Sequence, residues 1–185
     1  FSQDKISKPS KINTKQYQKI INENDLNKLI IDLNKKSIIS VDTETSSLGP
    51  QVAELIGISL SYAKNISFYI PVGHKNIKSL NKDFVVKKLK PILEDPSIKK
   101  VGQNIKYDFI ILKKYGVELN PVEDTMLLSY TLDAGNNRHN MDTLSELHLN
   151  HKTISYKDLV GSGKKQLTFS EVNIEKATEY AAEDA

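Results

Sequence analysis

The chain has 185 residues, enough for one well-buried domain and short of two of ordinary size. Its net charge is +3, 38% of it is hydrophobic, and no apolar run reaches the length needed to span a bilayer. Cysteine is absent, which excludes disulfides and thiolate ligands; a bound metal must be held by oxygen or imidazole. Positive charge is almost all lysine, with Arg138 the single arginine. That usage reads first as genome composition and only second as a phosphate grip. The start at Phe1, with neither an initiator Met nor a signal-peptide core, reads as an excised fragment.

Residues 1–15 are polar, lysine-rich and aperiodic, and are expected to form a flexible lead-in to a single domain over 16–185. Tyr17 to Ile21 suits a short strand. Asn24 is positioned to cap a helix whose Leu26, Leu29, Ile30 and Leu33 share one face. The β-branched run 37–42 predicts a buried strand, broken by Leu48-Gly49-Pro50. Glu54 to Ser61 and Ile66 to Ile70 predict two more strands around a turn at 63–65, giving a three-stranded antiparallel meander. Phe84 to Leu93 has helical spacing and ends before Pro96. Lys100-Val101-Gly102 reads as a strand feeding a helix over 105–115, with Asn104 as its cap. Asp124 caps a helix over 125–132, and Thr143 with Glu146 fits a capping box for another. Residues 161–165 read as a flexible loop, and Asn173 as the cap of a last helix. The order predicts an α/β domain built on a mixed β-sheet flanked by helices.

Chemistry concentrates in three short motifs. Val41-Asp42-Thr43-Glu44-Thr45 closes the buried strand, and residues two apart on a strand emerge on one side, so Asp42 and Glu44 point together. Thr43 and Thr45 face the other way. A solvated edge strand would also carry acids, but the apolar residues upstream place this pair at the exit of a core strand. Asp108 follows in Asn104-Ile105-Lys106-Tyr107-Asp108, on the first turn of a helix, where an acid also suits the helix dipole. Tyr180 and Asp184 of Tyr180-Ala181-Ala182-Glu183-Asp184 are one helical turn apart and reach a single spot. Converging carboxylates repel one another unless divalent cations hold them, which points to metal-dependent phosphoryl transfer. Asp124 and Asp142 read as helix caps. His74, His148 and His151 have no ligand spacing with the acids.

Together, and in this order, the motifs closely resemble the 3′–5′ proofreading exonuclease domain of bacterial family A DNA polymerase I, a member of the tyrosine-bearing subclass of the DEDD superfamily. The segments Lys100-Val101-Gly102-Gln103-Asn104, Arg138-His139-Asn140-Met141-Asp142, His151-Lys152-Thr153-Ile154 and Gly161-Ser162-Gly163-Lys164 add to the likeness, which runs from about residue 17 to 185. The resemblance implies a ribonuclease H-like exonuclease fold. It implies that Asp42, Glu44, Asp108 and Asp184 hold two divalent ions, Mg²⁺ or Mn²⁺, about 3.5–4 Å apart. Tyr180 would orient the attacking water, and nucleoside 5′-monophosphates would be released. Leu48 matches a wedge against the terminal base and Tyr156 a stacking aromatic. Gln103, Asn104, Arg138 and Met141 match further substrate contacts.

The implied partners are the single-stranded 3′ end of DNA and a polymerase domain of the same polypeptide. The implied setting is a monomer in the bacterial cytoplasm, associated with the nucleoid and not with a membrane. Two other readings stay open at this point: a catalytically silent module that binds DNA or braces a polymerase, and a free-standing exonuclease acting on RNA.

Overall fold

The computed structural model describes residues 16–185; the lead-in expected over 1–15 lies outside the described residues. The first half of the chain runs β1 (Tyr17–Lys19), α1 (Glu23–Leu33), β2 (Ile38–Thr45), β3 (Leu55–Ala63), β4 (Ile66–Pro71) and α2 (Lys82–Leu93). Next come β5 (Lys99–Gly102), α3 (Lys106–Lys114), β6 (Val122–Asp124) and α4 (Thr125–Asp133). The last stretch holds α5 (Met141–Leu144), a π-helical turn (Ser145–Leu149), α6 (Tyr156–Val160) and α7 (Ile174–Asp184). No helix among the described residues is long and apolar enough to cross a membrane.

The strands form one six-stranded mixed sheet in the order β1-β4-β3-β2-β5-β6. The expected meander is its centre: β3 pairs antiparallel with both β2 and β4. Flanking it, β1 runs parallel to β4, β5 to β2, and β6 to β5. Alternation along β2 divides its two faces, with Ile39 and Val41 buried on one side. There they join Leu26, Leu29 and Leu33 of α1, Val85 and Leu89 of α2, and Ile111 and Leu112 of α3 in the main core. The opposite face carries a smaller core of Ile56, Tyr69, Val160, Phe169, Val172, Ala177 and Ala181 under α7.

Several helix starts differ from expectation. The cap of α1 is Asn22, whose side chain accepts from Asp25 N at 3.0 Å; Asn24 already lies within the first turn. Asn104 does not cap α3. It takes a left-handed backbone (φ 57°) and donates its own N–H to Asp124 Oδ1 at 2.9 Å, a partner supplied from β6. Asp124 also accepts from Met126 N and Leu127 N and caps α4 as expected. Thr143 lies inside α5, which starts after Asn140, so its box does not form; the capping box is at Thr168 and Glu171. Asp142 caps nothing and instead accepts from Thr153 Oγ1 at 2.6 Å. Asn173 does cap α7, accepting from Glu175 N and Lys176 N. The strand β6 and helix α6 were not foreseen, being only 3 and 5 residues long. The expected loop at 161–165 includes a short 3₁₀ turn at Gly163–Lys165.

Candidate active site

Strand β2 and helix α7 meet on the face opposite the main core. Asp42 stands opposite Ser59 and Glu44 opposite Gly57, just before a register shift between Glu44 and Thr45 ends the regular ladder. Ala177, Ala181 and Ala182 are buried and let α7 lie close to the sheet. That approach brings Asp184 to the two strand acids: carboxylate oxygens of Asp42, Glu44 and Asp184 lie within 4.8 Å of one another. The convergence expected for these three acids is thus present.

Asp108 arrives by a different route. It is 2% exposed on the first turn of α3, on the main-core side of the sheet. Its Oδ1 accepts from Thr43 N at 2.8 Å and Thr43 Oγ1 at 2.5 Å. Thr43 faces away from Asp42 and Glu44, as alternation requires, and for that reason meets the helix on the far side. The fourth acid therefore hooks over the end of β2, next to the other three and outside their tightest cluster.

Beneath Glu44 the floor is aromatic. A Cβ at Gly57 would fall 2.2 Å from the ring end of Tyr69, so only glycine leaves this space. Tyr69 is fully buried, its hydroxyl is 2.8 Å from His74 Nε2, and Phe169 packs edge-on against its ring. Glu44 is 8% exposed, and its Oε1 is buried without a hydrogen-bond partner.

The electrostatics follow from this crowding. Burial pushes Asp42 up to about 6, against a lowering hydrogen bond from the backbone of Thr43. Glu44 rises well above its ordinary value, first through burial and then through the charges of Asp42, Asp184 and Asp108. Asp108 and Asp184 rise for the same reasons, burial first and Asp42 second. The Tyr180 hydroxyl is held strongly protonated by burial and by Asp184 and Glu44 beside it. Among the described residues, none of the four acids is ion-paired to lysine or arginine. A set of buried and half-buried carboxylates with no cation partner and one orphaned oxygen fits hard divalent cations, which neutralise the charge and take oxygen ligands.

The expected substrate-side residues differ in their surroundings. Leu48 is 93% exposed on the loop leaving β2. Tyr156, at the first position of α6, stacks on Phe169 and meets the Tyr180 ring edge-on at 5.9 Å between centroids. Met141 is half-buried at the start of α5, beside a groove of about 530 Å³ also lined by Gln103, Leu128, Leu132 and Asp184. Arg138 is exposed on the preceding loop. Gln103 is engaged by the protein itself, donating to His139 O at 2.7 Å and accepting from Thr125 Oγ1 at 2.6 Å. Asn104 Oδ1 accepts from Lys106 Nζ. Unforeseen is Tyr107, whose hydroxyl donates to Ser47 O at 2.8 Å and lies 2.6 Å from Thr45 Oγ1, tying the loop that carries Leu48 to α3. Its position one residue before Asp108 was the available signal.

Comparison with known proteins identifies the family. A family model described as 3′–5′ exonuclease matches residues 17–185. DNA polymerase I of Rhizobium leguminosarum is 43% identical over 180 residues, covering 86% of this chain and 18% of that protein. DNA polymerase I of Pseudomonas aeruginosa is 38% identical over 175 residues, covering 91% of this chain and 19% of that protein. The chain thus spans about a fifth of the length of these relatives. Among solved structures, Escherichia coli RNase D superposes with a TM-score of 0.67 at 22% identity, covering 91% of this chain and 41% of that one, and shares the fold. With its model matched from β1 to the end of α7, the chain belongs to the 3′–5′ exonuclease family.

Proposed function

We propose that this chain is the proofreading exonuclease module of a DNA polymerase I, removing single nucleotides from the 3′ end of DNA. The observation that carries the reading is the meeting of Asp42, Glu44 and Asp184 within 4.8 Å, with Asp108 hooked over the same strand end. Two divalent ions, Mg²⁺ or Mn²⁺, would be held by these four acids. When bound, they supply Lewis-acid polarisation of the scissile phosphodiester and a nucleophilic water at neutral pH.

The protein's own groups do the rest. Thr43 fixes the Asp108 carboxylate by two hydrogen bonds, so that ligand is oriented before any ion arrives. Tyr180, held protonated and hydrogen-bonded to Asp184, would orient the attacking water beside that acid. Tyr156 presents a ring face to the terminal base, and stacking of this kind tolerates any sequence, as a proofreader requires. Leu48, 93% exposed on the loop leaving β2, would supply an apolar edge against that base. No side chain has to become a covalent nucleophile, and products would be nucleoside 5′-monophosphates. The polymerase domain of the longer relatives would be the partner that delivers a melted primer end.

The test is hydrolysis of a 5′-labelled single-stranded oligonucleotide with Mg²⁺, with Mn²⁺ and with chelator. A ladder shortening from the 3′ end only with metal is the expected result. A folded chain that binds the strand and leaves it intact would identify a silent DNA-binding module. Preference for a ribo-oligonucleotide over its deoxy counterpart would point to RNA as substrate.

A further inference from the structure

Next to Asp184 on α7 stands Glu183, an acid outside the metal-holding set. Its side chain is 5% exposed. Its Oε1 accepts from His151 Nε2 at 2.7 Å and its Oε2 from Ile154 N at 2.6 Å. Both donors lie in the irregular segment between the π-helical turn and α6. The Ile154 N–H is thereby satisfied by a side chain in place of another backbone group. Two residues on, the same segment becomes the first turn of α6, which opens with Tyr156. One residue before Ile154, Thr153 Oγ1 donates to Asp142 Oδ1 at 2.6 Å, in the residue following Met141.

We infer that Glu183 is a positioning residue: it fixes the segment carrying Tyr156, and through Thr153 and Asp142 the start of α5, at a set distance from the acids. The inference rests on the nuclease reading above and concerns how far the terminal nucleotide sits from the bond that is cut. Adjacent residues on a helix point about 100° apart. One turn of α7 therefore aims Asp184 at Asp42 and Glu44 while aiming Glu183 at the substrate-side segment. Glu183→Ala removes both acceptors and leaves the Ile154 N–H without its partner.

The experiment compares two substrates on the whole chain with Mn²⁺. One is a single-stranded oligonucleotide; the other is bis(p-nitrophenyl) phosphate, a diester that needs the acids and carries no nucleotide to place. Glu183→Ala is expected to lower kcat/KM on the oligonucleotide about tenfold or more, chiefly through KM, as the hydrogen bonds to Ile154 and His151 are lost. The ester should change by less than about twofold, since the acids are untouched. Hydrogen exchange of the Ile154 amide should speed up by about tenfold or more in the variant, a readout independent of activity. Thr153→Ala should move oligonucleotide KM in the same direction by less. Equal loss on both substrates would overturn the inference, because Glu183 would then act through Asp184 or the fold. So would unchanged oligonucleotide kinetics, or unchanged exchange at Ile154. A wild-type chain that cleaves neither substrate with any metal would remove the nuclease reading itself, and this inference with it.

Discussion

On the face of the sheet covered by α1, α2 and α3, the buried side chains are aliphatic and closed off: Leu26, Leu33, Ile58, Leu89 and Leu112 are all 0% exposed. On the face covered by α7 the apolar core is small, built on alanines and two aromatic rings, and bordered by three acids, Asp42, Glu44 and Asp184. Strand β2 serves both faces with alternate residues. The first face supplies the hydrophobic driving force that holds the fold. The second crowds like charges beside that core, an arrangement unfavourable until cations neutralise it. Placing the strain at the exit of a central strand lets the well-packed face offset it, the usual relation between a stable scaffold and a strained site.

The contrast can be broken from either side. Asp42→Ala or Asp184→Ala should lower metal-dependent cleavage by at least about a thousandfold, several kcal/mol of transition-state stabilisation. The same variants should melt at an unchanged or higher temperature, because repulsion is relieved; oligonucleotide cleavage and thermal melting measure the two effects. Retained turnover would contradict the two-metal assignment. Leu89→Ala, on the other face, should do the reverse. It should cost about 2–5 kcal/mol of stability by opening a cavity and leave cleavage well below the melting temperature near normal, as denaturant titration and the same ladder would show.

The pH dependence sharpens the comparison. Asp42 titrates near 6 in the fold against an ordinary 3.8, so the folded chain holds its proton more tightly than the unfolded one does. That contribution to stability is complete below about pH 4 and is lost as pH rises through 6. Melting with chelator present should therefore fall by a few degrees across that window. Excess Mn²⁺ should restore it above pH 6 through binding to the folded state, and Asp42→Asn should flatten the metal-free profile. A melting temperature that climbs from pH 4 to 6 in chelator would mean the acids are not the strained element. Smallest is Tyr180→Phe, which removes one hydroxyl and no metal ligand. Its kcat should fall about tenfold, the worth of one hydrogen bond, with melting within about a degree of wild type.

Much of this was legible in the residues because it depends on local periodicity. The pairing of Asp42 with Glu44 follows from strand alternation, and that of Tyr180 with Asp184 from the helical turn. The caps at Asp124 and Asn173 form as side-chain chemistry predicts. What escaped is non-local. Asn104 looks like a cap until Asp124, twenty residues away, claims its N–H and holds it left-handed. Asn22 and Asn24 are equivalent by composition; which one stays extended is settled by where β1 delivers the chain. Thr43 seemed only to face away from the site, and nothing in its own stretch announces that α3 waits there with Asp108. β6 and α6 are too short for any period to show.

The order in which the acids occur along the chain has a further meaning. Asp42 and Glu44 come early, Asp108 in the middle and Asp184 on α7, which docks against β1, β2, β3 and β4, all far behind it in sequence. A polypeptide leaving the ribosome N-terminus first therefore has all its strands available while the acid cluster still lacks Asp184. On the proposed reading the acid cluster is whole only once α7 has docked, so a nascent or partly unfolded chain is a blade without one edge.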